Sequence, residues 1–168
     1  MALDAARDLP RVKIRHRGVA METEKYPRGL CCHEAGHAVV AWSFGVAAVA
    51  VYVTFSEARG VARWHRLYRR SALHYLDQAT NFAAGRAGEE VFDSPAHYGA
   101  WLADLGEIFV LLNQNGIPED QHWVRVTEAR ECARAVLKTH REKVLKLVDR
   151  LVERGRVERA EFLRLMNG

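Results

Sequence analysis

The chain has 168 residues, of which 49% are hydrophobic and 27% are charged. This length is enough for one domain with a full core and too short for two large domains, and the composition is typical of a globular protein. The net charge of +4 is uneven, because residues 71–124 carry 1 basic and 8 acidic residues between two basic flanks. An acidic middle segment is compatible with a cation site, and equally with solvated helix faces.

The N-terminal residues 1–28 form a segment of their own. They lack apolar periodicity and contain two prolines and a glycine, which predicts a basic, poorly ordered arm ahead of one domain over residues 29–168. The arm has no apolar core segment, so it is not a signal peptide. Three cysteines cannot make a disulfide framework, and we therefore expect a reducing compartment, the cytoplasm. They are Cys31, Cys32 and Cys132.

The first predicted helix covers about residues 29–44 and contains the segment LCCHEAGHAVVAW. It leads into a run without charged residues from 38 to 55, which has the minimum length of a membrane span. Gly45 divides this run into a helical half and the segment VAAVAVYVTF, whose β-branched residues are typical of a buried strand. We therefore expect no membrane span.

The remaining elements follow in chain order. Strands over about 46–55 and 60–67, joined by SEARG, predict a β-hairpin. Later helices are predicted from a Ser71 cap to Phe92 and over 98–113. The pattern over 121–152 predicts one long helix or two consecutive helices, ended by Gly155, and a short final helix follows over 158–166. The predicted fold is thus mainly α with a small β-hairpin or sheet, in which a zincin-like HExxH helix is combined with a C-terminal helical bundle.

Five arginines lie between Arg59 and Arg70, with aromatic residues among them. Such a pattern can bind nucleic acid through phosphate contacts and base stacking. A strand with an arginine-rich exposed face explains the same residues, and we therefore do not expect nucleic acid as a partner.

The HEAGH segment has the spacing of a metal site. His33 and His37 are separated by one helical turn, so both can reach a single ion from the same face. Glu34 lies about 100° further round, where a carboxylate can act as general base on water whose pKa zinc lowers to about 7. The alternative is a helix with two hydrogen-bonded histidines and a solvated glutamate.

A hydrolytic zinc site needs a third protein ligand. Val40 and Ser43 stand where a metzincin would carry its glycine and third histidine. Glu57 has the spacing of a thermolysin-like ligand, but its place in a predicted turn argues against it. The spacing leaves open the acidic residues of the middle segment: Glu89, Glu90, Asp93, Asp104 and Glu107.

Three segments of the chain, HEAGHAVV, AAGRAGEEVF and GAWLADLGEI, resemble the peptidase domain of the FtsH family of membrane-anchored AAA+ zinc proteases. The resemblance extends through the C-terminal helices and covers about residues 29–166. It implies zinc as cofactor, His33, His37 and Asp104 as its ligands, and Glu34 as the catalytic base.

The resemblance has departures as well. Gly99 and Asp104 are five residues apart where the family pattern has four, and the sequence contains no ATPase phosphate loop. Glu89 and Glu90 fall on the helix expected to pack near HEAGH, where one of them would orient a zinc-bound histidine from behind. A solvated helix face is the alternative for this pair.

The residues and the resemblance together predict a zinc metalloendopeptidase that hydrolyses peptides or unfolded protein segments. Without an ATPase in the chain, it would depend on loosely structured substrates or on a separate ATPase or chaperone, and it is compatible with a homo-oligomer. The alternative is a catalytically idle binding module that acts through its basic surface or by oligomerisation. Glu34 favours catalysis, because a binding module needs no base beside a metal.

Overall fold

The structure is a computed structural model, and it describes residues 26–46, 48, 50–56, 59–61, 73–96 and 98–168. The helices within these ranges are α1 (Arg28–Ser43), α2 (Tyr75–Val91), α3 (Tyr98–Gln114), α4 (Glu119–Thr139), α5 (Arg141–Arg154) and α6 (Arg159–Asn167). The strands are β1 (Ala50–Tyr52), β2 (Thr54–Ser56), β3 (Arg59–Val61) and β4 (Arg156–Glu158). The prediction of a mainly helical fold with a small β component is confirmed.

The strands form two antiparallel pairs. β2 pairs with β3 as a short hairpin, with Phe55 opposite Gly60. β1 pairs with β4, with Val51 opposite Val157. The prediction of a single strand over 46–55 is therefore wrong in one respect. The N–H of Val53 donates to the carbonyl of Gly155 at 2.7 Å, and after this residue the chain pairs with β3 instead of β4. The three-residue strand β4 was not predicted.

The helix bounds differ from the predictions mainly at helix starts. α2 begins at Tyr75, and the Nδ1 atom of His74 accepts a 3.4 Å hydrogen bond from the backbone N–H of Leu76 at its start. The predicted cap, Ser71, lies outside the described residues. The pattern over 121–152 forms two helices that meet at His140. Gly155 ends α5 as predicted, in the left-handed conformation with φ of 72°.

Helix α1 is enclosed by other elements. Its residues from Gly29 to Ala41 are all buried, and it crosses α2 where both helices carry glycine. A Cβ atom on Gly36 would lie 2.3 Å from the carbonyl oxygen of Ala84, and one on Gly88 would lie 2.5 Å from the carbonyl oxygen of Cys32. The two backbones therefore pass at a distance that no larger residue allows, which brings HEAGH against α2.

Two apolar clusters hold the helices in place. One joins α1 to the C-terminal elements and includes Leu147 of α5 and Phe162 of α6. The other lies between α2, α3 and α4 and includes Ile108 and Leu112 of α3. Burying side chains of this size contributes about 1.5–3 kcal/mol each. The second cluster fixes the rotation of α3, and with it the direction in which Asp104 points.

Several predictions fall on residues that the structure does not describe. These are the arm over residues 1–25, Glu57, and residues 62–72 with most of the arginine-rich segment. For the described part of the chain, no helix is both long enough and apolar enough to span a bilayer.

Candidate metal centre

Helix α1 supplies two histidines to an enclosed site. His33 and His37 are only 2% and 1% exposed. Their Nε2 atoms lie 3.1 Å apart, as expected for residues separated by one helical turn. Because α1 is buried on all sides, both imidazoles are held between α1 and the neighbouring helices rather than in solvent.

Helix α3 adds a carboxylate to the two imidazoles. The Oδ2 atom of Asp104 lies 3.1 Å from Nε2 of His33 and 3.2 Å from Nε2 of His37. The side chain of Asp104 remains 16% exposed, against 1–3% for the two histidines. Asp104 is therefore the most exposed of the three residues, although its Oδ2 atom is itself buried. These three residues form a group that could hold a metal ion.

The hydrogen bonds behind the imidazoles determine their tautomers. Nδ1 of His33 lies 2.8 Å from Oε1 of Glu89, and Nδ1 of His37 lies 2.6 Å from the backbone carbonyl of Asn81. Asn81 in turn donates from Nδ2 to the carbonyl of His37 at 2.8 Å. A carboxylate and a carbonyl oxygen accept hydrogen bonds, so both Nδ1 atoms carry protons and both Nε2 lone pairs face Asp104.

The dimensions of this triangle fit a tetrahedral cation. Ligand bonds of about 2.0–2.1 Å at tetrahedral angles separate two ligand atoms by roughly 3.3 Å. The three separations here are 3.1, 3.1 and 3.2 Å. Two nitrogen lone pairs and a carboxylate oxygen at such distances repel each other unless a cation lies between them. The donor set of two imidazoles and one carboxylate is one that zinc accepts.

Gly85 of α2 leaves room for this arrangement. A Cβ atom on Gly85 would lie 2.5 Å from Nε2 of His33 and 2.5 Å from Nε2 of His37. The missing side chain therefore allows the backbone of α2 to approach the two ligand atoms directly. The signal for this role in the sequence is a glycine inside the alanine-rich segment NFAAGRAG, which is unusual for a helix interior.

In the metal-free protein a proton takes the place of the cation. Burial lowers the pKa of His33, but its hydrogen bonds with Asp104 and Glu89 outweigh burial and raise it to about 10. Burial lowers the pKa of His37, which stays neutral. Burial also opposes ionisation of Asp104, yet the two histidines hold the pKa of its carboxyl well below its usual range. His33 thus carries the extra proton of the metal-free cluster at neutral pH.

Glu34 lies next to His33 in the chain and is only 1% exposed. Its negative charge is one of the causes that raise the pKa of His33, so its carboxylate acts on the imidazole through space. The structure thus places a buried carboxylate near the group that could hold a metal ion.

The two adjacent glutamates of GRAGEE have different surroundings. Glu89 contacts His33, as predicted for one member of the pair. Glu90 points elsewhere: its carboxylate lies 3.1 Å from Nε of Arg86, 3.7 Å from Arg130 and 3.5 Å from Arg134. Adjacent residues on a helix differ by about 100° in direction, so only one of them can face α1.

The other acidic candidates do not join the group. Asp93 and Glu107 are exposed, and neither belongs to the cluster of possible ligands. Glu57 lies outside the described residues. Among the described acidic residues of the middle segment, the structure thus brings Asp104 to the histidines. Asn81 was missed, although an asparagine among the alanines of a buried helix face needs a hydrogen-bond partner.

In comparisons with known proteins, no family model and no curated protein matches the chain.

Proposed function

We infer that this protein is a zinc-dependent metallopeptidase that hydrolyses peptides or unfolded protein segments. One observation carries the proposal: two Nε2 atoms and a carboxylate oxygen converge within 3.1–3.2 Å, with the carboxylate of Glu34 buried on the same helix. Three ligands leave one position open on a tetrahedral ion, which is the pattern of a hydrolytic rather than a structural site. The resemblance to the FtsH peptidase domain supports the same assignment.

Each residue of the cluster has a separate task in this proposal. A zinc ion bound there would supply a Lewis acid and would lower the pKa of water to about 7. His33 and His37 hold their Nε2 lone pairs toward the ion, because Glu89 and Asn81 keep the protons on Nδ1. Asp104 adds the negative charge that reduces the net charge of the site.

Glu34 takes the proton of the attacking water in this proposal and passes it to the leaving amine. Its surroundings exclude bulk solvent, since its exposed fraction is 1%. A general base of this kind contributes about 10²–10⁴-fold to a hydrolytic rate. Asp104 is the most exposed of the three proposed ligands, and we assign the approach of the substrate to its side.

The substrate class follows from what the sequence contains. The 168 residues hold no phosphate-binding loop of the G-x-x-x-x-G-K-[ST] type, so they include no motor that could unfold a stable protein. Loosely structured polypeptides, or segments delivered by a separate ATPase or chaperone, are therefore the proposed substrates. We propose the cytoplasm as the location, because the cysteines do not form a disulfide framework.

A second candidate is a binding module that keeps the fold and works by oligomerisation. The observation in its favour is a set of exposed apolar side chains on α3 and α4, which are 49–61% exposed. Exposed apolar residues of this size often mark an interface when they are contiguous. They are Leu102, Val110, Trp123 and Val124. This candidate leaves the buried Glu34 without a task.

The test combines metal analysis with one substitution. We expect about one zinc per chain, and we expect Glu34→Gln to retain zinc while hydrolysis of unfolded casein or short peptides falls by 10² or more. Glu107→Gln is the matched control, since Glu107 is exposed on α3 and lies outside the cluster. If the zinc-loaded wild type cuts no member of a diverse peptide library, the peptidase proposal fails and the binding module replaces it.

A further inference from the structure

The carboxylate of Glu89 is held at both oxygens. Oε1 faces Nδ1 of His33 at 2.8 Å, while Oε2 accepts hydrogen bonds from Nη1 of Arg86 at 3.0 Å and from the backbone N–H of Ala96 at 3.2 Å. The side chain of Glu89 is 3% exposed. Both carboxylate oxygens of Glu89 thus have partners, and its orientation is fixed.

Arg86 is itself held by a second carboxylate. Its Nε atom donates to Oε1 of Glu90 at 3.1 Å, while its Nη1 atom reaches Glu89. Because a guanidinium group is planar and its donors have fixed directions, anchoring Nε also sets the direction of Nη1. Glu90 lies 3.7 Å from Arg130 and 3.5 Å from Arg134 on α4. A connected set of contacts therefore runs from α4 to His33.

We propose that Arg86 is a positioning residue of the metal centre, which holds the Glu89 carboxylate so that His33 keeps its proton on Nδ1 and directs Nε2 toward the ion. The inference rests on the proposed function in one respect, namely that His33, His37 and Asp104 bind a metal. It does not depend on whether the bound metal cleaves a peptide. Arg86 acts only through Glu89 and touches neither ion nor substrate.

The expected size of the effect follows from this indirect role. Loss of a group that directly orients a metal-bound histidine weakens metal binding by about 10–100-fold. Arg86 is one contact further from the ion, and the Ala96 N–H remains on Oε2 of Glu89. Arg86→Gln should therefore weaken zinc binding by about tenfold, at the lower end of that range. Arg86→Lys keeps the positive charge but lacks the planar guanidinium group, so its loss of zinc affinity should be smaller than that of Arg86→Gln.

The chain offers a closely matched control in Arg125. Arg125 also pairs with a glutamate three residues later, with 2.8 Å between its Nη1 atom and Oε2 of Glu128. Its side chain is 34% exposed, compared with 36% for Arg86. Arg125→Gln thus removes an ion pair of the same spacing without touching Glu89, although its partner Glu128 is 53% exposed where Glu89 is 3% exposed. A loss of zinc affinity in Arg86→Gln alone would separate positioning from general destabilisation.

The experiment measures zinc affinity by competition with a chromophoric chelator, together with the visible absorption spectrum of the cobalt(II)-loaded protein. For Arg86→Gln we expect an affinity about tenfold lower and a changed cobalt spectrum, because the direction of one ligand is altered. For Arg125→Gln we expect wild-type affinity and spectrum. Arg86→Lys should lie between wild type and Arg86→Gln, and Glu89→Gln should lose at least as much affinity as Arg86→Gln.

Three results would overturn the inference. The first is an Arg86→Gln protein with wild-type zinc affinity and cobalt spectrum. The second is an Arg125→Gln protein that loses as much affinity as Arg86→Gln. The third is a wild-type protein that binds neither zinc nor cobalt, which would also remove the proposed function. A wild type that binds zinc tightly but hydrolyses nothing would end the peptidase proposal and leave the role of Arg86 standing.

Discussion

Replacing Gly85 by alanine adds one methyl group where α2 approaches the two imidazoles. The new Cβ atom would lie 2.4 Å from Cε1 of His33 and 2.5 Å from Nε2 of both His33 and His37, where ordinary contacts begin at 3.4 Å. An overlap of this size must be relieved by moving a ring or a helix. The rings cannot turn freely, because Glu89 and Asn81 hold their Nδ1 atoms from behind.

Two opposing effects determine the stability of the Gly85→Ala protein. Alanine gains about 0.5–1 kcal/mol over glycine in a helix interior. Overpacking of a filled site costs about 1–3 kcal/mol. The metal-free protein should therefore lose no more than about 2.5 kcal/mol. Zinc affinity should fall by more than about 100-fold, because changes that only affect the groups behind a ligand already cost 10–100-fold.

Gly106 provides the control, since it is also a helical glycine replaced by alanine. A Cβ atom on Gly106 meets no atom of the described residues within 4 Å. Gly106→Ala should therefore gain about 0.5–1 kcal/mol in unfolding free energy and bind zinc like the wild type. Chelator competition measures the affinity, and thermal unfolding of the metal-free proteins measures stability. If Gly85→Ala binds zinc as tightly as Gly106→Ala, the assignment of the ion to the space between the two Nε2 atoms is wrong.

Three further predictions follow from the same contacts. Asp104→Ala should lower zinc affinity by about 100-fold or more, while Glu57→Ala should keep the wild-type affinity, as measured by chelator competition. The reverse result would make Glu57 the third ligand instead of Asp104. Zinc binding near pH 6 should release about one proton per chain, because the pKa of His33 is raised to about 10 in the metal-free protein and zinc-bound water, with a pKa of about 7, stays protonated at that pH. Apparent affinity should rise about tenfold per pH unit in this range, and calorimetry in buffers of different ionisation enthalpy would contradict this if no proton is released. Gly36→Ala places a Cβ atom 2.3 Å from the carbonyl oxygen of Ala84, so unfolding free energy should fall by up to about 2.5 kcal/mol, and an unchanged melting temperature would refute the close helix crossing.

Part of the metal site could be predicted from local spacing, and part could not. The i and i+4 spacing of His33 and His37 determines that they share a helix face, which needs no tertiary information. The third ligand lies on another helix, and its direction depends on how α3 packs against α2 and α4. Spacing therefore left five acidic residues open, and the choice of Asp104 came from the family resemblance. The structure brings its carboxylate to the histidines.

The difference between Glu89 and Glu90 has a similar cause. Both residues lie on α2, so their separate directions depend on the rotation of that helix about its own axis. That rotation is set by the close crossing at Gly36 and Gly88, which sequence periodicity does not report.

Strand β4 was missed because a three-residue segment has too few residues to show an alternating pattern. Its partner strand, β1, is also distant in the chain. The local sequence therefore carries no signal of the pairing.

The pairing of β1 with β4 has a consequence for how the protein acquires its structure. Val51 and Val157 face each other although they are 106 positions apart, and closing a loop of that length costs roughly 4 kcal/mol of chain entropy. Contacts of such separation form slowly. Until they form, the apolar surface of α1 that α5 and α6 cover in the finished protein is open to other chains. The histidine-bearing helix thus has apolar surface that can take part in aggregation during folding.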